Sequence, residues 1–135
     1  MNQESIIKIQ MMEQEANHFN EQLQMIEQNI KEMQDLKASL EEIDKKENKE
    51  ILANIGKKIY IPVEIKDKNL IVEVGRGHYV KKTVGDTSKV VEEQINKLSD
   101  GKIQIMTRLE ELQNEMMNLI GEIEKEYRKE GEKNK

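Results

Sequence analysis

The sequence contains no cysteine and no tryptophan, and only one phenylalanine and one proline. Without cysteine the chain can form neither a disulfide framework nor a thiolate metal site, which agrees with a reducing compartment, and we expect a cytoplasmic protein. Aromatic residues make up 3% of the 135 positions, so few large side chains are available to fill a thick interior. The composition therefore disfavours an ordinary globular core.

The chain also lacks a basic region and a long apolar run. Its 22 basic and 27 acidic residues are intermixed and give a net charge of −5, so there is no positive field to attract phosphate groups. No stretch approaches the roughly 18 apolar residues of a membrane span, and the first residues lack the pattern of a secretory signal. We expect neither nucleic acid nor a membrane as a partner.

Catalytic signatures are missing as well. The two histidines, His18 and His78, have no nearby cluster of ligating side chains. The acidic residues between positions 41 and 50 are typical of a solvent-exposed helix end. The stretch Gly75-Arg76-Gly77 is too short for a phosphate-binding loop. We therefore predict no catalytic residues, no metal site, no cofactor and no enzymatic activity.

The sequence does contain two heptad stripes. Apolar residues alternate at intervals of three and four within 9–40 and again within 91–123, which is typical of coiled-coil helices. One lysine interrupts each stripe at a core position, Lys37 in the first and Lys102 in the second. Because the stripes have nearly equal length and flank a short insert, we predict an antiparallel coiled coil within one chain.

The boundaries of these segments follow from local signals. Asp86 or Thr87 is the predicted N-cap of the second helix, because both side chains accept hydrogen bonds from first-turn amides. Gly101 within that helix costs about 1 kcal/mol relative to alanine. We predict, in one domain, an N-terminal helix over 1–48, a double hairpin over 51–84, a C-terminal helix over 86–130 and a polar tail over 131–135.

The insert reads as a duplicated β-hairpin. Its β-branched residues alternate with other residues and are separated by glycine-containing turns. The stretch Ile55-Gly56-Lys57-Lys58-Ile59-Tyr60-Ile61 recurs 19 positions later as Val74-Gly75-Arg76-Gly77-His78-Tyr79-Val80. Two hairpins cannot cover their own edges and apolar faces. We therefore predict that hairpins from several subunits close a β-barrel. The predicted assembly residues are Ile59, Ile61, Val63, Ile65, Leu70, Val72, Val74 and Val80.

The succession of helix, duplicated hairpin and helix resembles the α-class subunit of prefoldin, a chaperone of archaea and eukaryotes. The likeness is carried by residues 55–65 and 74–82 and extends over the whole chain. Lys58 stands where the family commonly has a second glycine, which predicts a wider first turn. The resemblance implies a hexamer of two α and four β subunits, joined through β-barrels. It also implies capture of unfolded polypeptides without ATP and their delivery to a group II chaperonin.

The two heptad stripes together form the seam of the coiled coil. A client-binding role would require apolar side chains outside this seam, and only near the helix ends. Ile6, Ile7 and Met11 fall outside the first seam, and Met117 and Ile120 fall outside the second. Methionine is flexible and polarisable, which suits contact with varied apolar sequences. A wider seam or a helix contact in the oligomer is the alternative. The predicted client-binding residues are Ile6, Ile7, Ile9, Met11, Met12, Met116, Met117, Leu119, Ile120 and Ile123.

Two other functions remain open at this point. A coiled-coil adaptor or scaffold would explain the seams and the charges, but it would leave the repeated hairpin and the off-seam methionines as coincidences. A filament-forming prefoldin-like paralogue would use the same hairpins for a different assembly.

Overall fold

The computed structural model describes residues 3–45 and 50–133. Two long helices flank two small antiparallel hairpins, which confirms the predicted fold class. The parts of the predicted segments that fall on residues 1–2, 46–49 and 134–135 lie outside the described residues. In chain order the elements are α1 (Gln3–Lys45), β1 (Glu50–Gly56), β2 (Ile59–Glu64), β3 (Leu70–Gly75), β4 (His78–Lys82) and α2 (Val84–Lys133).

The chain divides into two compact units, and unit 1 comprises residues 1–29 and 98–135. In this unit α1 and α2 run antiparallel, because Glu27 pairs with Lys102 and Glu15 pairs with Arg108 further along α2. Leu112 lies in the seam and is only 1% exposed. Seam residues of both helices, such as Met12 on α1 and Met116 on α2, are half-buried.

Unit 2 comprises residues 30–97 and holds both hairpins. Its core is a cluster of Leu40, Val84 and Val91 from the two helices. Leu70, the first residue of β3, packs against this cluster, so the second hairpin is attached to the helices through apolar contact. Met33, Ile43 and Ile95 complete the packing.

The α2 helix begins two residues earlier than the sequence predicts. The hydroxyl of Thr83 accepts a hydrogen bond from the Asp86 amide at 3.1 Å, and the Thr83 carbonyl accepts the first helical bond, from the Thr87 amide at 3.0 Å. Thr83 is therefore the N-cap, and the prediction of Asp86 or Thr87 is wrong. Asp86 instead occupies the third helical position, in the first turn, where the helix dipole favours a negative charge.

The two hairpins share the same turn and the same irregularity. Each turn has two residues between its strands, Lys57-Lys58 in the first and Arg76-Gly77 in the second. Ile55 and Val74, which are equivalent in the repeat, are both extra residues where the strand register shifts. The predicted wider first turn is wrong, because Lys58 adopts a φ of 64° in place of a glycine.

Candidate functional site

Strand pairing gives each hairpin an apolar face. In the first hairpin Ile51 lies opposite Val63 and Ala53 lies opposite Ile61. In the second hairpin Val72 lies opposite Val80. Because alternate residues of a strand point to the same side, Ile59 shares the face of Ile61 and Val63. We call these residues the hairpin face: Ile51, Ala53, Ile59, Ile61 and Val63 in one hairpin, and Val72 and Val80 in the other.

The hairpin face is only partly covered. Val63 and Val72 are half-buried, whereas Ile61 is 46% exposed and Ile59, nearer the turn, is 59% exposed. Each sheet has two strands, so both outer edges of each hairpin carry unpaired backbone groups within the described chain. The structure therefore presents apolar side chains and open strand edges together.

The remaining predicted assembly residues occupy different positions. Ile65 follows β2 in the connection and is half-buried, and Leu70 is packed on the helix cluster. Val74 is the extra residue of β3 and is exposed. Sequence reasoning missed Leu52 and Ile71, which are 65% and 70% exposed on the opposite faces of the hairpins. Their position in the strand alternation was visible in the sequence.

The predicted client-binding residues separate into two groups in unit 1. Six of them are half-buried, five in the seam and Ile6 beside it. Ile7, Met11, Met117 and Ile120 are exposed, and Met11 and Met117 are the most open at 63% and 64%. The five half-buried seam residues are Ile9, Met12, Met116, Leu119 and Ile123.

A shallow groove runs along unit 1 between the helices. Met117 and Ile120 line it on α2, and Ala16 and Asn20 line it on α1. The small alanine leaves the groove open. It continues past Leu109 and Gln113, which line both its parts, to a second part formed by Leu23, Ile103, Met106, Thr107 and Glu110. We call the whole depression the α2 groove.

The α2 groove contains two exposed apolar residues that sequence reasoning missed. Ile103 is 62% exposed and Met106 is 50% exposed, although neither lies near the end of α2. The expectation that off-seam apolar residues occur only near the helix ends is therefore wrong. The signal was present in the sequence, because Ile103 and Met106 are separated by three positions, as neighbours on one helix face are.

Charged side chains occupy the other side of the seam. Arg108 lies 3.3 Å from Glu15 across the helix pair, and on α2 it lies 3.3 Å from Glu111 and 3.7 Å from Glu115. A hydrogen bond to Glu111 is the main cause of a raised pKa at Arg108, with further contributions from Glu15. Arg108 and Met106 are about 160° apart around α2. Arg108 and its carboxylate partners thus lie on a different side of α2 from Met106.

Residues 3–45 and 50–133 contain neither a metal-binding cluster nor a membrane-spanning helix. No group of three or more histidine, cysteine, aspartate or glutamate side chains there is placed to hold a metal ion. None of the helices in this part of the chain has the length and hydropathy needed to cross a membrane. The exposed surfaces that remain as candidates are the hairpin face, the α2 groove, and Ile7 and Met11 on α1.

Comparison with known proteins supports the resemblance drawn from the sequence. Residues 12–129 match the family model for prefoldin subunits. Over 132 residues the chain is 24% identical to prefoldin subunit alpha of Archaeoglobus fulgidus, covering 95% of each chain. Among solved structures it is similar to filamentous prefoldin from Methanocaldococcus jannaschii, with a TM-score of 0.71 and 15% identity. That match covers 85% of this chain and 97% of the other.

Proposed function

Because the chain belongs to the prefoldin family, we propose that it is a subunit of an ATP-independent chaperone that captures unfolded polypeptides. In this proposal two copies of the chain and four β-class subunits form a cytoplasmic hexamer, which delivers its clients to a group II chaperonin. No catalysis and no cofactor take part. The observation that carries the proposal is the combination of uncovered hairpin edges with exposed apolar side chains on the helices.

Assembly through the hairpin face follows from the energetics of exposed strands. Isolated two-stranded sheets are marginal in water, and their open edges pair readily with other strands. Burial of a valine or isoleucine side chain contributes roughly 1.5–3 kcal/mol. Joining several hairpins into one closed sheet would therefore offset the marginal stability of each hairpin alone. The residues that would enter this contact are Ile59, Ile61, Val63, Val72, Val74 and Val80. Ile65 and Leu70 would lie beneath it.

Client capture follows from the exposed residues of unit 1. Ile7, Met11, Met117 and Ile120 have the side chains most open to an unfolded chain, and the half-buried residues beside them would be shown when the helix ends fray. Methionine can adapt to different apolar segments. Binding without sequence preference needs this adaptability more than it needs a deep pocket.

Assembly is tested by charge substitution on the hairpin face. Native mass spectrometry of the chain with a β-class subunit should give a hexamer. The double variant Ile61→Lys, Val80→Lys should lose it, because two ammonium groups would enter the closed sheet. Ile71→Lys, on the opposite face of the second hairpin, is the control and should leave the hexamer intact. A hexamer that survives the double variant would contradict this use of the hairpin face.

Client capture is tested in an ATP-free assay of the aggregation of a chemically unfolded protein. Replacement of Ile7, Met11, Met117 and Ile120 by glutamine should leave the hexamer unchanged and remove most of the protection. Met25→Gln is the control, because Met25 is 67% exposed and lies outside the predicted binding residues. Full protection by the fourfold variant would show that clients bind elsewhere.

Filament formation is a second candidate, supported by the likeness to filamentous prefoldin. In that case the hairpin face would join copies of this chain alone in an open series. Electron microscopy of the chain without a β-class subunit distinguishes the two assemblies. Long polymers would favour the filament, whereas particles that form only with the β-class subunit would favour the hexamer.

A further inference from the structure

A second heptad stripe lies on α2, outside the seam. Its residues follow the three- and four-residue alternation of a coiled-coil contact, and four of the six are apolar and exposed. The four are 62%, 50%, 64% and 44% exposed in chain order. This row, called the outer stripe, consists of Ile103, Met106, Glu110, Gln113, Met117 and Ile120.

The outer stripe runs beside the seam and is rotated from it around the axis of α2. Met106 follows Ile105 directly, Gln113 follows Leu112, and each stripe residue of this kind is turned about 100° from its seam neighbour. α2 therefore has two adjacent helix-packing surfaces. One is filled by α1, and in the described chain the other forms the wall of the α2 groove. An arrangement of this kind fits a helix that packs against two neighbours, as in helical bundles.

The outer stripe is complementary to itself when reversed. A two-fold axis between residues 111 and 112 places Ile103 of one copy opposite Ile120 of the other, and Met106 opposite Met117. Glu110 then lies opposite Gln113. Every residue of the stripe meets a residue of matching chemistry, and each contact occurs twice, as a two-fold contact between identical chains requires.

We propose that α2 docks antiparallel on α2 of a second copy of this chain through the outer stripe. The register brings isoleucine to isoleucine, methionine to methionine and the Glu110 carboxylate to the Gln113 amide, which can donate a hydrogen bond to it. Across the contact the two α2 helices, each with its own α1, form a four-helix arrangement about the two-fold axis.

Charge selects this orientation over a parallel one. Parallel in-register docking would place Glu110 against Glu110, and like charges at facing positions of a helix contact are unfavourable. Among the described residues no ion pair involves Glu110, so none of them neutralises its charge. The antiparallel register separates the two carboxylates and gives each an amide partner.

Docking would also compete with client binding, since Met117 and Ile120 belong both to the outer stripe and to the predicted client-binding residues. The stripe spans 17 residues, or about 26 Å of helix. A contact of this length is small for a protein interface, and we expect it to be weak.

Disulfide trapping tests the register. Because the chain has no cysteine of its own, every disulfide must form through the introduced residues. Full-length Met106→Cys carrying a mass tag is mixed with untagged Met117→Cys under mild oxidation. The proposal predicts a disulfide-linked product of mixed mass. Each chain carries a single introduced cysteine, because the natural sequence has none, so a disulfide can form only between two chains.

Each other outcome counts against the proposal. A disulfide-linked dimer of two Met106→Cys chains, formed in higher yield than the mixed dimer, would indicate parallel docking. Yields no higher than those of a Met25→Cys chain, which is similarly exposed, would indicate random collision. Gln113 provides an independent check: adding Gln113→Lys to both chains should raise the mixed yield, because each lysine would face Glu110 of the other copy. Gln113→Glu should lower it, and an equal yield for both variants would contradict the register.

Discussion

The ammonium group of Lys37 lies 3.1 Å from a carboxylate oxygen of Glu92, across the helix pair of unit 2. Lys37 occupies a core position of the first stripe, and its side chain is 34% exposed. The long aliphatic part lies along the seam while the charge reaches the opposite helix. A polar group at such a position lowers stability but favours one register of the helices.

Lys37→Leu should therefore raise the free energy of unfolding by about 1 kcal/mol, since leucine buries apolar surface and removes the partly desolvated charge. Glu92→Gln should lower it by less than about 1 kcal/mol, because the Glu92 side chain is 58% exposed and water screens the pair. Urea denaturation of both variants measures the two effects. A destabilised leucine variant would mean that the ion pair contributes more to stability than the apolar burial that leucine adds.

The first hairpin turn holds a lysine in a conformation that favours glycine. Lys58 has a φ of 64°, and Gly77 at the equivalent place in the second turn has a φ of 76°. Lys58→Gly should stabilise the first hairpin by about 0.5–1 kcal/mol by relieving left-handed strain. Gly77→Ala should destabilise the second hairpin by about 1 kcal/mol, although the added methyl group has no neighbour within 4 Å beyond the adjacent residues. Amide exchange at the strands of each hairpin would detect both changes.

The cap of α2 depends on one hydroxyl group. Thr83→Ala removes the 3.1 Å bond from the Asp86 amide and should lower the free energy of unfolding by about 1 kcal/mol. Thr107→Ala is the matched control, since the Thr107 hydroxyl donates a hydrogen bond to the Ile103 carbonyl one turn back within α2 and caps no helix end. That replacement should be neutral or stabilising by about 0.5 kcal/mol, because alanine is the better helix former. Similar losses in thermal denaturation of both variants would argue against the cap.

Gly101 offers a stabilising change inside unit 1. A β-carbon at this position would lie 3.9 Å from Cδ1 of Ile26, which is an ordinary van der Waals contact. Gly101→Ala should therefore raise the free energy of unfolding by about 1 kcal/mol through helix propensity. At Gly121 the added group would have no neighbour within 4 Å apart from adjacent residues and the backbone of α2, so Gly121→Ala serves as a reference for helix propensity alone. A loss of stability in the Gly101 variant only would reveal a closer helix approach.

Periodic features were predictable from the sequence, and features set by individual side chains were not. The seams and the paired hairpins follow from repeats of three, four and two residues, which backbone geometry converts directly into helices and strands. The N-cap was missed because Thr83, Asp86 and Thr87 all have capping side chains, and only the backbone shows which precedes the first turn. The turn was misjudged because a lysine can adopt a positive φ at a modest cost.

For the candidate surfaces too, periodic features were predictable from the sequence, and features set by individual side chains were not. Ile59, Ile61 and Val63 could be assigned to one strand face from alternation alone. Ile103 and Met106 were missed because the seam residues beside them already accounted for the apolar content of that stretch. How far α1 covers a neighbouring position depends on residues such as Ala16 and Asn20, which leave the groove open, and one helix's pattern does not report the size of its partner's side chains.

The antiparallel seam of unit 1 has a consequence for how such a chain can change length. Each turn of α1 faces its own turn of α2, and contacts are local along the pair. Removing seven residues from one helix alone would shift every later pairing, including Glu15 with Arg108. Removing seven from both at facing positions would restore the pairing beyond the deletion. In related proteins, insertions and deletions in the two helices should therefore occur as matched heptads, one in each helix.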